Sequence, residues 1–186
     1  YFFANRQNDP LGNTPNDRNK VLHSYRDGGN QTLAAIFLSS WSGMALESQV
    51  PYETNADHTL DSDAVPSSGM AYKTTAYLEN AAFSYSVAKI KNLISEYGSV
   101  SMSIGMYDSC YNPKTYAYSY SGNAGVNHAV TLVCWDDNFA KENFNSSCNV
   151  TSDGAWIVRN SWGEQWGDKG YFYISYENKC NYNIVA

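Results

Sequence analysis

Charge is scarce in this chain. Lys, Arg, Asp and Glu make up 16% of the 186 residues, and the net charge is -6 with the basic residues scattered. That balance argues against nucleic acid as a partner, which calls for a clustered basic face. No stretch approaches the roughly 18 consecutive apolar residues of a membrane span, so no span is expected within the chain. There is no internal repeat, no low-complexity block and no Gly-x-Ser-x-Gly segment. The last absence disfavours a serine hydrolase built on a nucleophile elbow. Asp136 and Asp137 are adjacent carboxylates without further ligands at fixed spacing, the pattern of a solvated turn and not of a cation site; no metal and no cofactor are expected. What the chain does have is 43% hydrophobic residues, enough for a core in one or two small domains, and 16 tyrosines.

Punctuation and periodicity divide it. Asn5 to Asn19, rich in Asn, Asp and Pro, reads as a loop. Thr32 to Gly43 reads as a helix with Leu33, Ile36, Phe37 and Ser40 on one face and Gly43 as its stop. Asp57 to Gly69 is polar and linker-like. Ser86 to Tyr97 is a second helix, with Val87, Ile90, Leu93 and Ile94 at helical spacing and Gly98 as the cap. Five strands follow: Val100 to Met106, Thr115 to Tyr120, Ala129 to Trp135, Gly154 to Arg159, and Gly170 to Tyr176. The order suggests an α+β protein whose second half is a strongly curved antiparallel sheet.

Two of these strands bring chemistry together. An antiparallel pairing across the polar connection Asp136 to Asp153, with Trp135 opposite Gly154, sets His128 opposite Ser161 and makes Asn160 its neighbour. A neutral imidazole takes a proton from a nucleophile with one nitrogen only if the other is held in the right tautomer, and an amide oxygen does this without adding charge. With a cysteine nucleophile the orienting group need not be a carboxylate. Trp162 is placed to cover the pair and exclude water. Gly163, Gly167 and Gly170 permit tight turns after it.

Asn127 to Val130, Asn160 to Gly163 and Trp166 to Phe172 resemble the histidine and asparagine motifs of papain-like cysteine peptidases. Asp27-Gly28-Gly29 before a helix resembles the Gly-Gly segment of that family, which lines the substrate cleft. Pro51-Tyr52-Glu53 is similar to its Pro-Tyr element, and Trp135 to Phe139 with Lys141 to Phe144 is more like bacterial and archaeal surface members than plant or animal ones. The resemblance runs from about Asp27 to Tyr176. It implies a papain-like fold, with an incomplete helical domain in residues 1-69 and a curved antiparallel β-barrel-like domain in residues 70-186. It also implies His128 as general base, Asn160 as its orienting group and Trp162 as their shield. Gly28, Gly29, Asn30, Asn127 and Ala129 are the substrate-binding candidates. The implied partner is a peptide or protein substrate, and the implied location is extracellular or at the cell surface.

The nucleophile is not among these residues. In the family it sits in a Cys-Gly-Ser-Cys-Trp type segment with the histidine roughly 130 to 150 residues downstream, which from His128 reaches to or before Tyr1. The nucleophilic Cys and the oxyanion Gln are therefore expected in a missing N-terminal segment of the same protein, and the chain alone is expected to be inactive. Cys110, in a loop after a strand, is a poor substitute. Cys134 reads as a small buried hydrophobe, while Cys148 and Cys180 lie in polar segments. Four cysteines permit three complete pairings, and the sequence does not choose among them, Cys110 with Cys148 included. The alternative function is a catalytically dead relative that holds a peptide or glycan in its tyrosine-rich cleft.

Overall fold

The computed structural model describes residues 31–39, 78–179 and 181–185, the last group by backbone alone. The chain divides into two compact units, residues 1-80 and 81-186. In the first unit the described element is helix α1, Gln31–Phe37. The expected loop at 5-19, the linker at 57-69 and the remainder of the first helix lie outside the described residues.

The second unit opens with helix α2, Val87–Tyr97. The spacing of Val87, Ile90, Leu93 and Ile94 gives it one apolar stripe, and Ile90 and Ile94 are buried in the main core. It ends where predicted. Gly98 takes the left-handed conformation at φ 86°, and its N–H donates to the Ile94 carbonyl at 2.8 Å. The outer face docks by charge: Lys91 pairs with Asp137, and its Nζ lies over the rings of Tyr176, at 4.9 Å, and Trp135, at 5.6 Å.

Seven strands form one sheet: β1 (Val100–Ile104), β2 (Tyr111–Asn112), β3 (Ala117–Tyr118), β4 (His128–Asp136), β5 (Ala155–Arg159), β6 (Tyr171–Ser175) and β7 (Asn181–Val185). Their order is β2-β3-β6-β5-β4-β1-β7. All five expected strands are present, with β3 shortened to two residues. The architecture is α+β, but the sheet is mixed and open, not wholly antiparallel and closed into a barrel. β3 runs parallel to β6, because the chain leaves β3, builds β4 and β5, and returns beside it; so long a crossover permits parallel pairing.

The register between β4 and β5 also corrects the sequence reading. Trp135 faces Trp156, not Gly154, and a bulge between Leu132 and Cys134 puts one extra residue in β4. A one-residue insertion exchanges the two faces of a strand. Val130 and Leu132 before the bulge are buried, whereas Cys134 beyond it is exposed, contrary to the expected buried cysteine.

The main core lies where α2 meets the sheet, around Met102, Ile104, Tyr118, Leu132, Val158 and Phe172. Tyr118 is fully buried, and its hydroxyl donates to the Gly105 carbonyl and accepts from the Tyr107 N–H at 3.2 Å. The polar connection between β4 and β5 is packed as well. It carries two 3-10 turns, Lys141–Asn143 and Ser146–Cys148, and folds Phe139, Phe144 and Val150 over Ala117, Ala155 and Tyr173 as a satellite core.

Candidate active site

His128 begins β4 and pairs across the ladder with Ile104. Its backbone position is reinforced by the preceding residue. Asn127 donates its backbone N–H to the Ile104 carbonyl at 2.9 Å. Its side chain accepts from the Met106 N–H at 2.8 Å and donates to the Met106 carbonyl at 3.1 Å. The Asn127 amide thus imitates one more rung of the β1–β4 ladder, and both of its polar atoms are engaged.

Asn160 follows β5 directly. Its backbone N–H donates to the Gly170 carbonyl at 2.9 Å, tying it to the start of β6. Continuing the Thr131–Arg159 register brings Asn160 level with Val130, so its side chain reaches His128 diagonally across the strand ends. The contact is made: His128 Nε2 lies 2.8 Å from Asn160 Oδ1. The same oxygen accepts from the Ser161 N–H at 2.8 Å, which fixes it as the acceptor. Nε2 therefore carries the hydrogen, and Nδ1 keeps its lone pair for a proton. Asn160 is only 5% exposed, and its Nδ2 has no hydrogen-bond partner among the described residues.

An aromatic cover completes the arrangement. The Trp162 ring stacks on His128 with centroids 4.7 Å apart, and Trp162 is itself 47% exposed. Behind it stands Trp166, edge-on to Trp162 at 4.9 Å and to the buried Phe172 at 5.2 Å, and stacked on Tyr111 at 5.2 Å. The loop holding both tryptophans turns at Gly163, Gly167 and Gly170, all at positive φ. At Gly167 a Cβ would lie 2.3 Å from the Tyr171 carbonyl oxygen, so only glycine fits there.

A cleft of about 460 Å³ adjoins Asn160 and is lined by Ala129, Thr131, Arg159 and Ser161 among others; His128 is not part of its lining. Arg159 reaches across its own sheet to donate to the Tyr171 hydroxyl at 2.8 Å. Of the substrate-binding candidates, Asn127 and Ala129 stand on either side of His128, while Gly28, Gly29 and Asn30 lie outside the described residues, as does the Pro51-Tyr52-Glu53 element.

The described cysteines are elsewhere. Cys134 is six residues along β4 from His128, roughly 20 Å at the rise of a strand. Cys110 and Cys148 end two 3-10 turns that a hydrogen bond from Asn145 to the Ser109 carbonyl holds together. Among the described residues no hydrogen bond joins a cysteine to His128, and no cluster of three or more metal-ligating side chains occurs. Asp136 and Asp137 diverge: Asp136 accepts from the Asn138 N–H at 2.9 Å, while Lys91 beside Asp137 holds that carboxyl below the usual range. The role of Tyr111 behind Trp166 escaped the sequence reading; a ring stack between residues so far apart has no local signature.

Residues 21–186 match the model of the papain family cysteine proteases. The chain is 30% identical over 157 residues to a viral cathepsin of Choristoneura fumiferana nuclear polyhedrosis virus, covering 83% of this chain and 42% of that protein. It is 32% identical over 122 residues to cathepsin B-like cysteine proteinase 3 of Caenorhabditis elegans, covering 62% of this chain and 27% of that protein. Among solved structures it resembles the clostridial cysteine protease Cwp84 with a TM-score of 0.72 at 33% identity, covering 86% of this chain and 40% of that one. Bromelain from Ananas comosus, at 23% identity and a TM-score of 0.52, shares the fold and covers 85% of this chain and 68% of that one. The chain spans about two fifths of the length of the first of these relatives, 42%. It belongs to the papain family of cysteine proteases.

Proposed function

We propose that the chain is the C-terminal portion of a cysteine endopeptidase, in which His128 and Asn160 serve a thiol supplied from upstream of Tyr1. The observation that carries this reading is the 2.8 Å contact between His128 Nε2 and Asn160 Oδ1 beneath Trp162. With Nε2–H held by the amide, Nδ1 takes the proton of an approaching thiol. The resulting thiolate attacks the peptide carbonyl, and the imidazolium returns the proton to the leaving amine as the thioester forms. Water, deprotonated by the same nitrogen, then hydrolyses the thioester. Asn160 orients the ring throughout, Trp162 keeps water from their hydrogen bond, and an upstream Gln contributes to the oxyanion hole.

In this reading residues 1-69 are the remainder of a helical domain and residues 70-186 the β domain. Gly28, Gly29 and Asn30 contact the substrate backbone, and Ala129 lines the cleft that adjoins Asn160. Asn127 acts chiefly by holding His128 in place. Residues 1-186 alone are inactive, because without the nucleophile covalent catalysis is lost. A surface or extracellular location is supported by the likeness to Cwp84, described as a surface layer associated protein of Clostridium difficile.

The test is peptide hydrolysis by the parent protein, with and without a thiol-alkylating inhibitor, alongside residues 1-186. Thiol-dependent activity in the parent, its loss in His128→Ala and none in the isolated chain are the expected results. A parent without thiol-dependent hydrolysis would contradict the reading and leave the alternative, a catalytically dead relative that binds a peptide or glycan.

A further inference from the structure

We propose that Cys110 and Cys148 form a reversible disulfide that cross-links the β1–β2 and β4–β5 connections of the second unit. The two residues end the 3-10 turns Asp108–Cys110 and Ser146–Cys148, which are joined by a hydrogen bond from the Asn145 side chain to the Ser109 carbonyl.

The turns are held together by bonds on both sides of the sulfurs. Asn145 Nδ2 donates to the Ser109 carbonyl at 3.1 Å, one residue before Cys110. Asn112 Nδ2 donates to the Asn143 carbonyl at 2.8 Å, two residues after it. Asn145 also caps the second turn, its Oδ1 accepting from the Ser147 N–H at 3.1 Å and the Ser147 hydroxyl at 2.9 Å. The backbone that carries the thiols is therefore fixed before any bond between them forms, which removes much of the reorganisation that defeats poorly placed cysteine pairs. Cys134 is exposed on β4, and its Sγ donates to the carbonyl of the adjacent Trp135.

The two thiols differ in access. Cys148 is 4% exposed and Cys110 is half-buried. Burial pushes the Cys148 thiol up from its ordinary range. Cys110 is then the sulfur that meets an oxidant first and Cys148 the one that resolves. The oxidant is a small-molecule disulfide. The Cys110 thiolate attacks one of its sulfurs, forming a mixed disulfide and releasing one small thiolate. Cys148, losing its proton, attacks Cys110 Sγ and releases the second. Two protein thiols are oxidised, one small disulfide is reduced to two thiols, and the two protons leave with them. The bond closes a loop from residue 110 to residue 148 that contains β2, β3 and β4.

The test uses the parent protein carrying Cys134→Ser, which removes the exposed thiol of β4. The folded protein is incubated with oxidised glutathione, its remaining thiols are alkylated, and it is digested without reduction for mass spectrometry. The expected product joins the Cys110 and Cys148 peptides with the loss of two hydrogens. Oxidation should also raise Tm by roughly 10 °C, and Cys110→Ser should abolish that rise while leaving the Tm of the reduced form nearly unchanged. Recovery of both residues as alkylated thiols, as stable glutathione adducts, or of either joined to Cys180 overturns the proposal. Because Cys110 is half-buried, its serine variant carries the test even if Cys148→Ser fails to fold. The readout is independent of peptidase activity.

Discussion

The Trp162 ring lies over the His128 imidazole at 4.7 Å between centroids, and the edge of Trp166 supports it from behind at 4.9 Å. The two tryptophans share a loop but differ in what they touch. Trp162 is half exposed, while Trp166 meets the buried Phe172. In the parent protein Trp162→Ala should lower kcat/KM about tenfold by admitting water to the His128–Asn160 bond, with little change in Tm. Trp166→Ala should instead destabilise the fold by roughly 2 kcal/mol, below the ~3–5 kcal/mol of a fully buried tryptophan. Paired kinetics and thermal melts separate the two; equal losses of stability would argue that Trp162 only packs.

Tyr118 joins the core to the site. Its hydroxyl bonds the backbone on both sides of Met106, the residue that the Asn127 side chain also grips. Tyr118→Phe keeps the ring and removes those bonds inside a buried environment, so a loss of about 1–3 kcal/mol is expected in chemical denaturation. A neutral result would mean that water replaces the hydroxyl.

Why the site was legible while much of its frame was not follows from where each signal resides. The meeting of His128 and Asn160 depends on two apolar runs and the polar stretch between them, and these patterns are local. The bulge at Leu132 and Cys134 leaves no mark in composition, so the exposure of Cys134 is not legible in the strand pattern. Strands of two residues, such as β2, have no periodicity to read. The parallel pairing of β3 with β6 is a property of topology. The packing of the polar connection from Asp136 to Asp153 has no local signature, because its satellite core rests on three separated apolar residues, Phe139, Phe144 and Val150. Asn127 illustrates the same limit: its position beside His128 was evident, its engagement with Met106 was not.

Acid should loosen the end of β6. The Glu177 carboxylate accepts from the backbone N–H and hydroxyl groups of both Thr151 and Ser152, and these bonds, the Ser152 hydroxyl foremost, lower its pKa from 4.5 to about 2. A depressed carboxylate contributes stability that is complete above the unfolded value of 4.5 and is lost as pH falls through 2. Glu177 is largely solvated, so the contribution is discounted to about 1 kcal/mol. Glu177→Gln should lower Tm at pH 7, and the gap from the parent chain should close between about pH 5 and pH 2. A gap independent of pH would place the stabilisation elsewhere.

Gly167 sets the turn between Trp166 and the start of β6. Its φ is 61°, and a Cβ at this position would lie 2.3 Å from the Tyr171 carbonyl oxygen, so there is no room for a methyl group. Gly167→Ala should therefore destabilise by roughly 2–3 kcal/mol and weaken the Tyr111–Trp166 stack, visible as a change in near-UV circular dichroism. Retention of both stability and the aromatic signal would show that the loop relaxes without strain.

The most direct test of the paired His128 and Asn160 as catalytic machinery is the pH dependence of thiol alkylation in the parent protein. An upstream cysteine served by this pair should react as a thiolate at pH values well below the ordinary thiol range. His128→Ala should slow that reaction at least tenfold near pH 6, and Asn160→Ala should slow it to a lesser degree. A parent in which no cysteine upstream of Tyr1 reacts, or in which its reactivity is indifferent to His128, would contradict the account.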